Sequence, residues 1–326
     1  VLSRLAEALY WMGRYLERAD DTARLLDVYV HRMVVQVNDD AVGSSLLAAM
    51  GLDSAELARI REEQGSAIDL WQATELLAYD AANPSSVVGS LRLARENAAG
   101  LREVLATEVW EALNRTYHEL DNHVRAARTL GPHLLFQWVR DRVALVGGLI
   151  DTVLLHDDGW RFLTIGRCLE RVDMTARMLG AVPASADASR WSGVLVSCGA
   201  NDAFLRTYGG DVDKARALSV LLLDPDFPRS VHYALAQAEQ CLDQVDRGGR
   251  GPGNGRRSAR PSVSEAAREV GRIRSELAYT DPALLAADLP QVVDRLQRAC
   301  AHASELVTQR YFQRVAFIEW SVDRPA

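Results

Sequence analysis

Apolar residues recur every three or four positions along most of this chain. Near the start, Leu5, Leu9, Met12, Leu16, Ala19, Ala23 and Leu26 make a single stripe, which predicts a long amphipathic helix. The same spacing predicts helices over about 54–63, 66–80, 85–113, 115–129, 134–156, 159–181, 187–207, 212–223, 229–246, 263–278 and 290–318. Alternation of apolar and polar residues is never sustained, so no strand is expected. Loops are expected at Asn38-Asp39-Asp40, Gly131-Pro132 and Asp157-Asp158-Gly159. The stretch 247–262, rich in glycine and arginine, cannot bury a face and is expected to be a flexible, solvated loop. The expected class is all-α, a bundle of long helices.

One stretch occurs twice. Gly13 to Leu26 matches Gly166 to Leu179, 153 positions later, at ten of fourteen positions. Tyr15, Ala19, Asp21 and Leu25 drift, whereas both copies keep three arginines, a glutamate and an aspartate. A second match lies 144 positions apart: Asp80, Pro84, Ser86, Val87, Leu91 and Ala94 return as Asp224, Pro228, Ser230, Val231, Leu235 and Ala238. Proline there suits the first turn of a helix, where its missing donor is not needed. Asp80 and Asp224 are placed to cap or orient that turn, and Ser86 and Ser230 to offer free hydroxyls. The repeated order predicts two similar halves, about 1–130 and 134–326, related by a pseudo-twofold and sharing one core.

The retained charges are Arg14, Glu17, Arg18, Asp20 and Arg24 in the first copy and Arg167, Glu170, Arg171, Asp173 and Arg177 in the second. At roughly 100° per residue each set lies on one side of its helix, away from the apolar stripe. Three readings compete. As a solvated face, each pair contributes only about 0.2–0.5 kcal/mol, which is little reason to keep five charges in register. As facing helices, Glu17 bridges Arg171 and Glu170 bridges Arg18, a buried network that fixes register. As a ligand site, three arginines against two carboxylates per copy leave a cationic cleft suited to a carboxylate or phosphate. Glu17 or Glu170 then serves as general base or amine ligand, and Gly13 and Gly166 permit close approach.

Other chemistry is excluded more readily. The 37 basic and 44 acidic residues give a net charge of −7, and no basic stripe with interleaved aromatics appears, so nucleic-acid binding is not expected. Cys168, Cys198, Cys241 and Cys300 fit neither a zinc nor a redox spacing and read as buried thiols in a reducing compartment. His118 and His123 are five apart, and His156-Asp157-Asp158 is too local to converge on one ion, so no metal is expected. No phosphate loop or nucleophile elbow occurs, and no cofactor is expected. Arg4 and Glu7 interrupt the first apolar stretch, and Val143 to Leu155 is too short to span a bilayer, so a cytoplasmic location away from membranes is expected.

The opening Leu2-Ser3-Arg4-Leu5-Ala6-Glu7-Ala8-Leu9-Tyr10-Trp11-Met12-Gly13-Arg14-Tyr15-Leu16-Glu17-Arg18-Ala19-Asp20 closely resembles bacterial alpha-E domain proteins. The resemblance continues through Asn83 to Val87 and from Trp160 to Leu179, and it reads residues 1–326 as one internally duplicated domain. It implies an all-helical protein that works beside a circularly permuted ATP-grasp ligase in amide or peptide bond formation, with a transglutaminase-like protein as a further partner. The implied substrate is peptide-like and anionic, bearing a carboxylate or phosphate, held around Glu17, Glu170 and their flanking arginines. Two alternatives stay open: a stand-alone enzyme acting on an amide-linked product through a glutamate, and a purely structural scaffold.

Overall fold

Helix-forming sequence and frequent capping residues give a chain of helices. A computed structural model describes residues 3–33, 42–52, 54–64, 68–183, 185–248 and 263–312. In order these are α1 (Ser3–Met33), α2 (Val42–Ala49), α3 (Ser54–Gln64), α4 (Leu70–Thr74), α5 (Val87–Ala99), α6 (Thr107–Leu130), α7 (His133–Val153) and α8 (Asp158–Gly180). There follow α9 (Ala188–Ser197), α10 (Asn201–Tyr208), α11 (Lys214–Leu218), α12 (Val231–Gly248), α13 (Glu265–Ala278), α14 (Pro282–Ala287) and α15 (Leu289–Val307). Single π-helical turns follow α4, α11 and α15. Among the described residues there is no strand, and no helix is long and apolar enough to cross a membrane.

The departures from the periodicity have local causes. The expected helix 66–80 begins only at Leu70, because Asp69 and Gln72 close a reciprocal capping box there. The expected helix 85–113 breaks after Ala99, where buried Leu101 and Leu105 are turned into the core through hydrogen bonds to Ala98 and Leu101 carbonyls. The expected helix 187–207 breaks at Gly199, whose φ of 65° suits a residue without a side chain. Asp157 is a helix cap rather than mid-loop: its carboxylate accepts from Gly159 and Trp160, and α8 starts one residue later. α2 and α14 were not expected. Gly131-Pro132 is the turn between α6 and α7. Arg247 and Gly248 still belong to α12, and the rest of the expected loop lies outside the described residues, as do Asn38-Asp39-Asp40 and the end of the last expected helix.

Two helices make the centre. α1 packs along α8; α5 and α7 cover α1, while α12 and α15 cover α8. Outside these, α6 packs on α7 and α13 packs on α12 and α15. One apolar core runs from Tyr10 and Leu26 through Leu169 and Leu179 to Leu235, Leu296 and Phe312. A second core joins Leu9, Met12 and Leu16 to Leu105, Val146 and Leu163.

The contact between α1 and α8 is closest at two glycines. A Cβ on Gly13 would overlap the Leu163 carbonyl, and one on Gly166 would overlap the Tyr10 carbonyl. Neither obstacle is a flexible side chain, so a methyl at either place forces the helices apart. Gly166→Ala is therefore expected to destabilise the fold by about 1–3 kcal/mol in urea denaturation. Gly148→Ala, on an open face of α7, should instead add roughly 0.5–1 kcal/mol.

Candidate functional site

The close approach at the two glycines brings the charged faces of α1 and α8 together. Glu170 is buried and held at both oxygens: Arg14 Nε donates to Oε2 at 2.6 Å, and Arg18 Nε donates to Oε1 at 2.5 Å. Glu17 is buried likewise: Arg171 Nε donates to Oε1 at 2.6 Å and Nη2 to Oε2 at 2.9 Å. Each glutamate is thus gripped by the arginine that follows its counterpart on the other helix. Two further donors also go to the protein. Arg14 Nη1 reaches Ser304 Oγ at 3.0 Å, and Arg171 Nη1 reaches the Pro228 carbonyl at 2.8 Å.

Beyond this centre the copies behave alike at one pair and differently at another. Asp20 braces Arg24 and Asp173 braces Arg177, each at 2.8 Å. Arg24 lies against Gly199 and Arg177 against Gly51. Those glycines close α9 and α2 in the same way, with Ala200 donating to Leu195 at 2.7 Å and Leu52 to Leu47 at 3.1 Å. Arg14 and Arg167 diverge, because Arg167 turns outward to Asp151 at 3.3 Å. The structure places Arg229 on the Glu17 side instead, 3.6 Å from Glu17, 3.1 Å from Asp20 and paired with Asp21.

Arg229 and Asp21 escaped the sequence reading, yet a signal existed. Counted through the two repeats, Asp21 answers to Met174, and Arg229 answers to Ser85. Both members of one pair are present in one copy and absent in the other, as expected if the charges entered or left together.

Asp80, Ser86, Asp224 and Ser230 lie at helix starts. Ser86 and Ser230 are fully buried, and their hydroxyls are not free: each donates to the carbonyl of its aspartate, Asp80 or Asp224. Each also accepts from the helix it starts, from Gly89 at 2.8 Å and Tyr233 at 3.0 Å. Both aspartates follow π-helical turns, Glu75–Tyr79 and Ser219–Leu223, and accept from amides two residues on, Ala82 and Asp226, each at 2.9 Å.

The electrostatics follow from burial. Desolvation, the largest single effect, works to raise the Glu17 carboxyl, but Arg171 and Arg229 together outweigh it and hold it down at about 2. Glu170 is lowered by the same contest between burial and Arg14 with Arg18. Burial, with help from Glu17 and Asp20, pushes Asp21 up to about 8 against the pull of Arg229. Burial also pushes the thiols of Cys168 and Cys198 up, to about 11 and about 12. All four cysteines are free and buried, as unreactive core thiols are.

The residues singled out from sequence therefore fall into three groups. Arg14, Glu17, Arg18, Glu170 and Arg171 converge between α1 and α8, with Asp20 and Arg24 joined to them through Arg229. Arg167 stands apart from that cluster on Asp151, and Asp173 braces Arg177. Arg177 lines a cleft of about 540 Å³ with Ala48, Leu179, Pro290, Asp294 and Gln297.

Residues 1–312 match the Alpha-E family, described as a predicted alpha-helical domain with a conserved ER motif. The chain belongs to the Alpha-E family. Its sequence contains Glu-Arg twice and no more, at Glu17-Arg18 and Glu170-Arg171, and in this Alpha-E chain those four residues make the reciprocal grip. Uncharacterised proteins of Mycobacterium tuberculosis and Mycobacterium bovis are 26% identical over 266 residues, covering 74% of this chain and 30% of their own length. The chain thus spans less than a third of those relatives. No solved structure matches it.

Two outcomes follow for this Alpha-E domain. Glu17 has its folded value below its ordinary 4.5, so its stabilisation is present above that value and lost as pH falls towards about 2. Denaturant midpoints should drop through that window, and Glu17→Gln should flatten the drop while lowering stability at neutral pH by roughly 3–5 kcal/mol. Asp21→Met and Arg229→Ser should each destabilise singly. Combined, they should recover about 1–3 kcal/mol in a double-mutant cycle, because the other copy is built with Met174 and Ser85.

Proposed function

We propose that this chain is a non-catalytic helical module of an ATP-grasp ligase system that forms amide or peptide bonds, and that its ER motifs lock the module together. The observation that carries this reading is the state of the two glutamates. A general base must reach its substrate and titrate near the working pH. Glu17 and Glu170 are buried, bonded at both oxygens and lowered, which speaks against the stand-alone enzyme. The ligase and transglutaminase-like partners come from the family resemblance. A modular role is supported by relatives in which the matched region is under a third of the polypeptide.

The lock is best understood as the junction of a duplication. In this proposal α1 to α7 form one unit and α8 to α13 with α15 the other, which moves the boundary from residues 130–134 to 154–157. Supporting it, α5 and α7 stand to α1 as α12 and α15 stand to α8. The π-helical turns before α5 and α12, the serine caps and the glycine ends of α2 and α9 recur in the same order.

With most donors of the central arginines committed, the anionic substrate group is assigned to Arg177, the motif arginine that lines the cleft beside α15. The test is to combine the chain with a circularly permuted ATP-grasp protein and follow complex formation and ATP consumption. The chain should bind and raise turnover. Arg177→Lys, which keeps a cation beside Asp173 but loses the planar fork, should reduce that stimulation on the order of tenfold with thermal stability little changed, whereas Glu170→Gln should lower stability first. Unaltered turnover on adding the chain defeats the ligase role.

A further inference from the structure

The C-terminal end of α1 carries a second cluster, remote from the ER lock. Asp27 and His31 are one helical turn apart, and His133, the first residue of α7, stands over both. His133 Nδ1 is 2.6 Å from Asp27 Oδ1, and His31 Nδ1 is 3.3 Å from the same oxygen. The two imidazole rings meet edge to face with centroids 4.8 Å apart. Arg140 Nη1 approaches the other oxygen, Asp27 Oδ2, at 3.4 Å. The Asp27 side chain is mostly buried, while both histidines are open to solvent.

We propose that Asp27, His31 and His133 form a binding site for a divalent transition-metal ion of the zinc type. One donor atom from each of the three lies within 4.8 Å of the other two. Ligands held about 2.1 Å from a tetrahedral ion stand roughly 3.4 Å apart, so modest ring rotation brings all three onto one centre. Two imidazoles and one carboxylate are donors of intermediate softness, suited to zinc or cobalt and poorly suited to magnesium or calcium. Arg140 orients the carboxylate through its second oxygen, as outer partners of metal ligands do. The solvent side leaves a fourth position for water. Bound there, the ion ties the end of α1 to the start of α7, across 102 residues of sequence from His31 to His133.

Sequence spacing alone does not reveal this site, because His133 comes from a distant helix. It also belongs to one half only: by the 153-residue offset of the repeat, Asp27 answers to Gly180.

The full chain, free of any affinity tag, is titrated with Co2+ while visible absorption is recorded, and Zn2+ is then used in competition. The expected result is one-to-one uptake displaced by Zn2+, with Zn2+ but not Mg2+ raising the melting temperature. His31→Ala, at an exposed position that leaves the fold intact, and Asp27→Asn should each weaken Zn2+ binding on the order of tenfold or more. No saturable uptake at roughly 100 µM metal, or equal affinity in His31→Ala, overturns the proposal.

Discussion

The centre of this molecule is two buried glutamates whose nearest arginines come from the opposite helix. A carboxylate removed from water is costly unless it is paired and hydrogen-bonded. Glu17 cannot be satisfied by Arg18, nor Glu170 by Arg171, since adjacent residues point to different sides of a helix. The arginine must come from across the interface, and it does so twice. Any slip of α1 along α8 strands two anions and several guanidinium groups in a dry interface. Apolar packing alone tolerates such a slip far better, because Leu, Met and Ala contacts exchange for one another at small loss. The charges therefore specify register, while the apolar cores around Leu9, Leu16, Leu163 and Leu169 supply most of the stabilisation.

The glycines and the charges form one device. Without Gly13 and Gly166 the helix axes stand further apart, and guanidinium-to-carboxylate distances of 2.5–2.6 Å are lost. Without the ion pairs, a crossing this tight has nothing to select it over a looser one. That interdependence accounts for the stretch Gly-Arg-x-Leu-Glu-Arg being kept whole in both places while Tyr15 and Cys168 differ.

The sequence was informative where one residue type has one physical use. Helices, the glycine contact and the reciprocal Glu–Arg pairs were all legible, the last as one of three readings of the charged face. The burial of those pairs depends on α12 and α15 closing over α8, and no local pattern reports that. Helix breaks were misplaced at Ala99 because core burial of Leu101 and Leu105 overrides an unbroken apolar rhythm. The matching ends of α2 and α9 were invisible, since Leu46-Leu47-Ala48-Ala49-Met50-Gly51 and Val194-Leu195-Val196-Ser197-Cys198-Gly199 share a backbone shape with few identities. Arg229 was hidden for a different reason: it differs from its counterpart Ser85, so the repeat does not mark it.

A twofold lock alone treats its two sides alike, yet this one is unequal: Arg229 and Asp21 reinforce Glu17, while Arg14 performs that service for Glu170 and Arg167 turns to Asp151. The Glu17 side gathers Glu17, Asp20 and Asp21 against Arg24, Arg171 and Arg229; the Glu170 side gathers Glu170 and Asp173 against Arg14, Arg18 and Arg177. Symmetry in the shared residues serves assembly of the fold. Departures from it, including Arg167 paired with Asp151, the cleft at Arg177 and the histidine pair over Asp27, give each side its own surface.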